Sequence, residues 1–137
     1  MSVAGETNLE VLLEELSPSL GRETFVVCTL PEATYGALAS TRPLASIRED
    51  EGLTLVLSQS QADAHGLAYE GTYRCITLTV HSSLDAVGLT AAVSRALADA
   101  GISANMLAGY YHDHVLVPAE KADVAMVRLS ALGASLD

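Results

Sequence analysis

Three clusters in this chain of 137 residues carry side chains that could do chemistry. His112-Asp113-His114 sets two imidazoles about one carboxylate, a donor set suited to zinc. These residues bracket the tip of a tight hairpin, so the turn sets their geometry, and His65 and His81 are the only other histidines. A polar tip with Asp113 fixing the turn is the plainer reading. A small metal-dependent enzyme built on His112 and His114, or a tip bordering a partner subunit's cleft, is the alternative. Glu49-Asp50-Glu51 could offer carboxylates to magnesium. Three consecutive acids point in different directions, however, and a solvated turn accounts for them. The third cluster is Ser82-Ser83-Leu84-Asp85-Ala86-Val87-Gly88, which leads into a helix. Free backbone N–H groups and the helix dipole attract a carboxylate there, and the serines add hydroxyls. The same residues also make an ordinary N-cap. Asn105, in an apolar strand expected beside that turn, offers donors and acceptors to a ligand, or bonds a neighbouring loop as a strand-edge residue. No nucleophile elbow and no Gly-rich phosphate loop occurs.

Composition narrows the classes. Seven Lys and Arg stand against seventeen Asp and Glu, a net charge of −10. Neutralising phosphates takes clustered cations, and none are clustered here, so neither nucleic acid nor an anionic membrane surface is an expected partner. Half the residues are hydrophobic, yet only five Tyr and one Phe are aromatic and Trp is absent. The core must be aliphatic. Cys28 and Cys75 sit in apolar strands and read as reduced, buried thiols. With no secretory leader and no apolar run of about 20 residues, the expected location is the cytoplasm.

The elements that must position these residues follow from periodicity. Thr7 to Glu10 fits a capping box opening a helix with Leu9, Leu12, Leu13 and Leu16 on one face. Strands are expected at 24–30, 45–48, 53–58, 73–80, 103–110 and 114–117. Residues 33–38 could make one or two helical turns, and Ser60 could cap a helix over 61–65 that Gly66 ends. The clearest helix holds Leu89, Val93, Ala96, Leu97 and Ala100 on one face and stops at Gly101. A last helix over 119–132 turns Ala122, Ala125, Met126, Leu129 and Leu132 inward. Each half thus shows strand, helix, hairpin, helix, the order of a pseudo-duplication.

The runs Ile76-Thr77-Leu78-Thr79-Val80, Val87-Gly88-Leu89-Thr90-Ala91-Ala92 and Leu97-Ala98-Asp99-Ala100-Gly101-Ile102-Ser103-Ala104-Asn105 resemble the ACT domain family, in particular aspartokinase-type repeats. With Arg48 to Thr54 and Ala108 to Pro118, the chain resembles stand-alone bacterial proteins built as an ACT pair. The resemblance implies an α+β, ferredoxin-like fold: two fused βαββαβ units, residues 1–70 with an extra N-terminal helix and residues 71–137, with antiparallel sheets and helices on one face. It implies a regulatory protein that binds a small molecule, an amino acid above all, without catalysis and without a cofactor or metal. Binding would shift domain or dimer packing in a homodimer, which a regulated enzyme would read. The implied ligand contacts are Ser82, Ser83, Asp85, Val87, Gly88, Leu89, Ser103, Asn105 and Met106. A ligand-free dimerisation module, its cleft plugged by Met106 or Leu107, is the further alternative.

Overall fold

The computed structural model describes residues 5, 7–80 and 87–134. Their order is α1 (Leu9–Glu14), β1 (Pro18–Pro31), a 3-10 turn at Ala39–Thr41, β2 (Ala45–Glu49), β3 (Gly52–Ser58), α2 (Gln59–Ala64), β4 (Tyr73–Leu78), α3 (Leu89–Asp99), β5 (Asn105–Ala108), β6 (Asp113–Pro118), a 3-10 turn at Ala119–Lys121 and α4 (Ala122–Ala134). The sheet has six strands in the order β2-β3-β1-β4-β6-β5. This is the α+β, ferredoxin-like architecture expected.

The chain forms two compact units: residues 22–73 form the inserted unit, which falls in sequence between the two segments, 1–21 and 74–137, of the outer one. The long strand β1 begins in the outer unit and ends in the inserted one.

In the outer unit, α1 is capped by Asn8, whose side chain accepts from the Val11 amide at 3.2 Å. The cap expected at Thr7 thus falls one residue later; both residue types suit the position. Leu12, Leu13 and Leu16 are buried in one core with Ile76, Leu78, Val93, Leu97, Val115, Val117 and Leu129. On α3, Leu89, Val93 and Leu97 recur at helical spacing and point inward. The helix closes on a Schellman motif, with Gly101 donating to the Ala98 carbonyl and Ile102 to the Leu97 carbonyl, each at 2.9 Å. The first residues of β1 lack strong strand formers but are held by β4 and the residue after it. Arg74 Nη2 donates to the Gly21 carbonyl at 2.6 Å, and Thr79 Oγ1 to the Ser17 carbonyl at 2.7 Å.

In the inserted unit, β3 lies between β1 and β2 and pairs antiparallel with both: Cys28 faces Leu55, and Ser46 faces Leu55 from the other side. Val26, Cys28, Leu53, Leu55, Leu57 and Ala62 form a smaller core. The helix α2 starts at Ser58, whose hydroxyl accepts from the Gln61 amide, two residues before the expected cap at Ser60. No α-helix follows β1. Residues 33–38 make turns, and Glu32, Leu38 and Arg42 all adopt left-handed backbone. Such conformations cost roughly 1–3 kcal/mol each for side chains with a Cβ. Thr41, buried, braces the segment by donating to the Leu38 carbonyl at 2.7 Å.

Candidate functional site around the start of helix α3

Ser82, Ser83 and Asp85 lie outside the described residues, as does His81. The described part of the loop is Val87 and Gly88. Val87 is 82% exposed, a large apolar surface left to solvent. Gly88 is the N-cap of α3 with φ 100°, and no side chain caps the first turn from that position. A Cβ on Gly88 would approach Leu9 Cδ2 to 3.0 Å, so α1 packs directly under the helix start. Leu89 is a core residue, 3% exposed, and supports the turn from within.

The strands around this helix start are fixed by β6. Asp113 faces Ala108 and Leu116 faces Asn105, so β5 runs antiparallel to β6. His114 Nδ1 lies 2.9 Å from Thr77 Oγ1, and His112 Nδ1 3.4 Å from the Val80 carbonyl. Strands β4 and β5 therefore run parallel on either side of β6, and α3 is the crossover between them. A crossover helix starts at the end where its first strand finishes. That end holds Val80 and, across the ladder, the Gly109–His112 tip, where the Gly109 amide donates to the His112 carbonyl at 3.0 Å.

The tip is shaped by close approach. A Cβ on Gly109 would meet the His112 carbonyl at 2.7 Å. Tyr110 and Tyr111 stand exposed beside it, edge to face, with ring centroids 5.0 Å apart. Asn105 begins β5 four residues before Gly109 of the tip, about 13 Å along the strand. It is exposed, on the outermost strand of the sheet. Ser103 is exposed before it, and Met106 packs against the core. The described geometry thus groups Val87, Gly88 and Leu89 with the start of α3, and Ser103, Asn105 and Met106 with the start of β5. The contact that residue types alone did not assign is Thr77 with His114, which only the strand register reveals.

Both imidazoles use Nδ1 within the fold. Among the described residues no group of three or more His, Cys, Asp or Glu comes together to hold a metal ion. Burial and then the neighbouring His112 hold His114 below the ordinary imidazole range, against the pull of Asp113. The sign is that of a histidine that prefers to be neutral when folded. Stability is expected to be level above about pH 6.5 and to fall as pH drops below it towards the folded value. Proton NMR should place the His114 midpoint below that of a random-coil histidine. A midpoint at or above the random-coil value would contradict the burial of this imidazole beside His112. Cys28 and Cys75 are free and buried, and burial raises both thiols.

No helix among the described residues is long and apolar enough to cross a membrane. The chain belongs to the ACT domain family: one ACT domain model matches residues 4–74 and a second matches residues 70–131. ACT domains are commonly regulatory modules that bind small molecules. A crystal structure of a Vibrio cholerae protein of unknown function, described as a possible transport protein, is 47% identical, with a TM-score of 0.83 over 91% of this chain and 95% of that one. The fold is also that of E. coli aspartokinase III in complex with aspartate and ADP, at 15% identity and a TM-score of 0.64 over 85% of this chain and 33% of that one. The ligand-free regulatory subunit of Thermus thermophilus aspartate kinase is similar at 12% identity, with a TM-score of 0.58 over 84% and 96%. No curated protein matches the chain.

Proposed function

We propose that this chain is a non-catalytic regulatory protein of the cytoplasm that binds an amino acid at the start of α3. The observation that carries the reading is a helix start capped by a glycine, in an ACT fold, after a loop containing Ser82, Ser83 and Asp85. The first N–H groups of α3 have no side-chain acceptor at the cap position and suit a ligand carboxylate. Aspartokinase III, which shares the fold, was crystallised with aspartate, and that supports an amino acid as the ligand class.

Ligand would favour one packing of the protein over another, and a regulated enzyme would read the difference. A homodimer fits this scheme. Strand β5 ends the sheet, and its residues Asn105 to Ala108 include no Lys, Pro or charge of the kind that guards an edge. Pairing there would set Ser103, Asn105 and Met106 at the seam, where Asn105 could reach a ligand held by the second copy. Calorimetry against each of the twenty amino acids tests the reading. One or a few should give heat with a dissociation constant between about 1 μM and 1 mM. The Ser82→Ala/Ser83→Ala variant should weaken binding about tenfold. Silence from all twenty would remove it.

A further inference from the structure

A hollow lies in the inserted unit. It has a volume of about 460 Å³ and is bordered by Val27 and Thr29 of β1, Thr54 of β3, Tyr69 and Glu70 of the connection before β4, and Tyr73, the first residue of β4. That volume falls in the range of small-metabolite pockets, roughly 300–1,000 Å³.

Its walls are chemically one-sided. Glu70 lines it directly. The Thr54 hydroxyl donates to the Glu49 carboxylate, which places a second acid one hydrogen bond away. Tyr69 brings a third: its hydroxyl donates to Asp63 Oδ1 at 2.7 Å while accepting from Gln59 Nε2 at 3.0 Å. The bond to Asp63 holds this phenol above its ordinary range, so it stays neutral. Two contacts from α2 thus fix the Tyr69 hydroxyl before any ligand arrives. Among the described residues no Lys or Arg lines the hollow. Two tyrosines, two threonines and an unopposed carboxylate suit an ammonium group, which gains from a carboxylate and from aromatic faces together.

We propose that this hollow in the inserted unit is a binding site for a small metabolite carrying an alkylammonium group, with Glu70 as its counter-ion and Tyr69 and Tyr73 as its aromatic walls. The site is independent of amino-acid binding at α3, and either can fail without the other.

The test is amide NMR of the full chain, titrated with putrescine and, in parallel, with butanediol as its neutral counterpart. Putrescine should shift the amides of Thr29, Thr54 and Tyr69 to Tyr73 in a saturable way, and butanediol should not. Glu70→Gln, at an exposed position where folding is not at stake, should weaken putrescine binding about tenfold or more. The Asn105→Ala variant should leave it unchanged. The proposal is overturned if putrescine moves none of these amides at about 10 mM. It is equally overturned if butanediol moves them alike, or if Glu70→Gln binds as well as the parent.

Discussion

Gly52→Ala should destabilise the protein by about 3 kcal/mol or more, the largest effect expected of any single methyl addition in this chain. Gly52 ends the turn between β2 and β3 with φ 146°, opposite Pro31 of β1. An added Cβ would collide with the Leu30 carbonyl oxygen, and would sit 2.9 Å from both Glu32 N and Pro31 Cα. All three are backbone atoms, two in β1 and one in the turn after it, so no side chain can swing aside. The ladder between β1 and β3 must open instead. Gly66→Ala is the control. Gly66 also has positive φ, 66°, but nothing lies within 4 Å of its Cβ position, so only the left-handed backbone is penalised, at about 1–2 kcal/mol. Chemical denaturation of the two variants should separate them clearly. Equal losses would show that the close approach at Gly52 is not rigid.

Leu57→Ala should cost about 2–5 kcal/mol. Leu57 is 0% exposed and belongs to a core of six buried residues covered by one helix of six residues. A core this small has few neighbours able to close over the lost volume, so the upper part of the range is expected. Hydrogen exchange should show the loss at the amides of β1, β2 and β3. Val127→Ala, at a position 68% exposed on α4, should change stability by less than about 0.5 kcal/mol. A Leu57→Ala protein as stable as its parent would mean that the inserted unit is not held by this cluster.

Much of the fold was legible because its signals are local. Leu12 and Leu13 mark α1, and Leu89, Val93 and Leu97 mark α3, each buried where its spacing put it; Leu16 is buried too, but just past the end of α1 at Glu14. Gly101 ends α3 as its position implied. The shift of the first cap from Thr7 to Asn8 is the ordinary ambiguity between adjacent capping types. Three features were not legible. Pro18, Ser19 and Gly21 belong to β1 because of β4, a partner more than fifty positions away. That residues 22–73 form a unit of their own, while 1–21 join 74–137, follows from which segments pair, and periodicity does not record pairing. The left-handed backbone at Glu32, Leu38 and Arg42 has no sequence signature, since none is Gly or Asn.

The candidate site divides in the same way. The helix α3 after a small-residue loop, and a hairpin after it, could be read directly from residue types. The tip expected at His112–His114 lies instead at Gly109–His112, because Asp113 and His114 pair in β6, and the cap of α3 is Gly88. The placement of Asn105 could not be read, since it depends on the direction of β5. Parallel to β4, that strand starts at the far end of α3 and brings its tip, with Tyr110, Tyr111 and His112, towards the helix start. Any contact between Asn105 and a ligand at α3 then calls for a second copy, which is why the amide and the homodimer enter the proposal together.

The most direct test of amino-acid sensing is to follow the amide spectrum of the full chain as each of the twenty amino acids is added singly. At least one should produce saturable shifts centred on residues 82–89, spreading to Gly109–His112. A spectrum unmoved by all of them, or moved only at positions remote from the start of α3, would contradict the account.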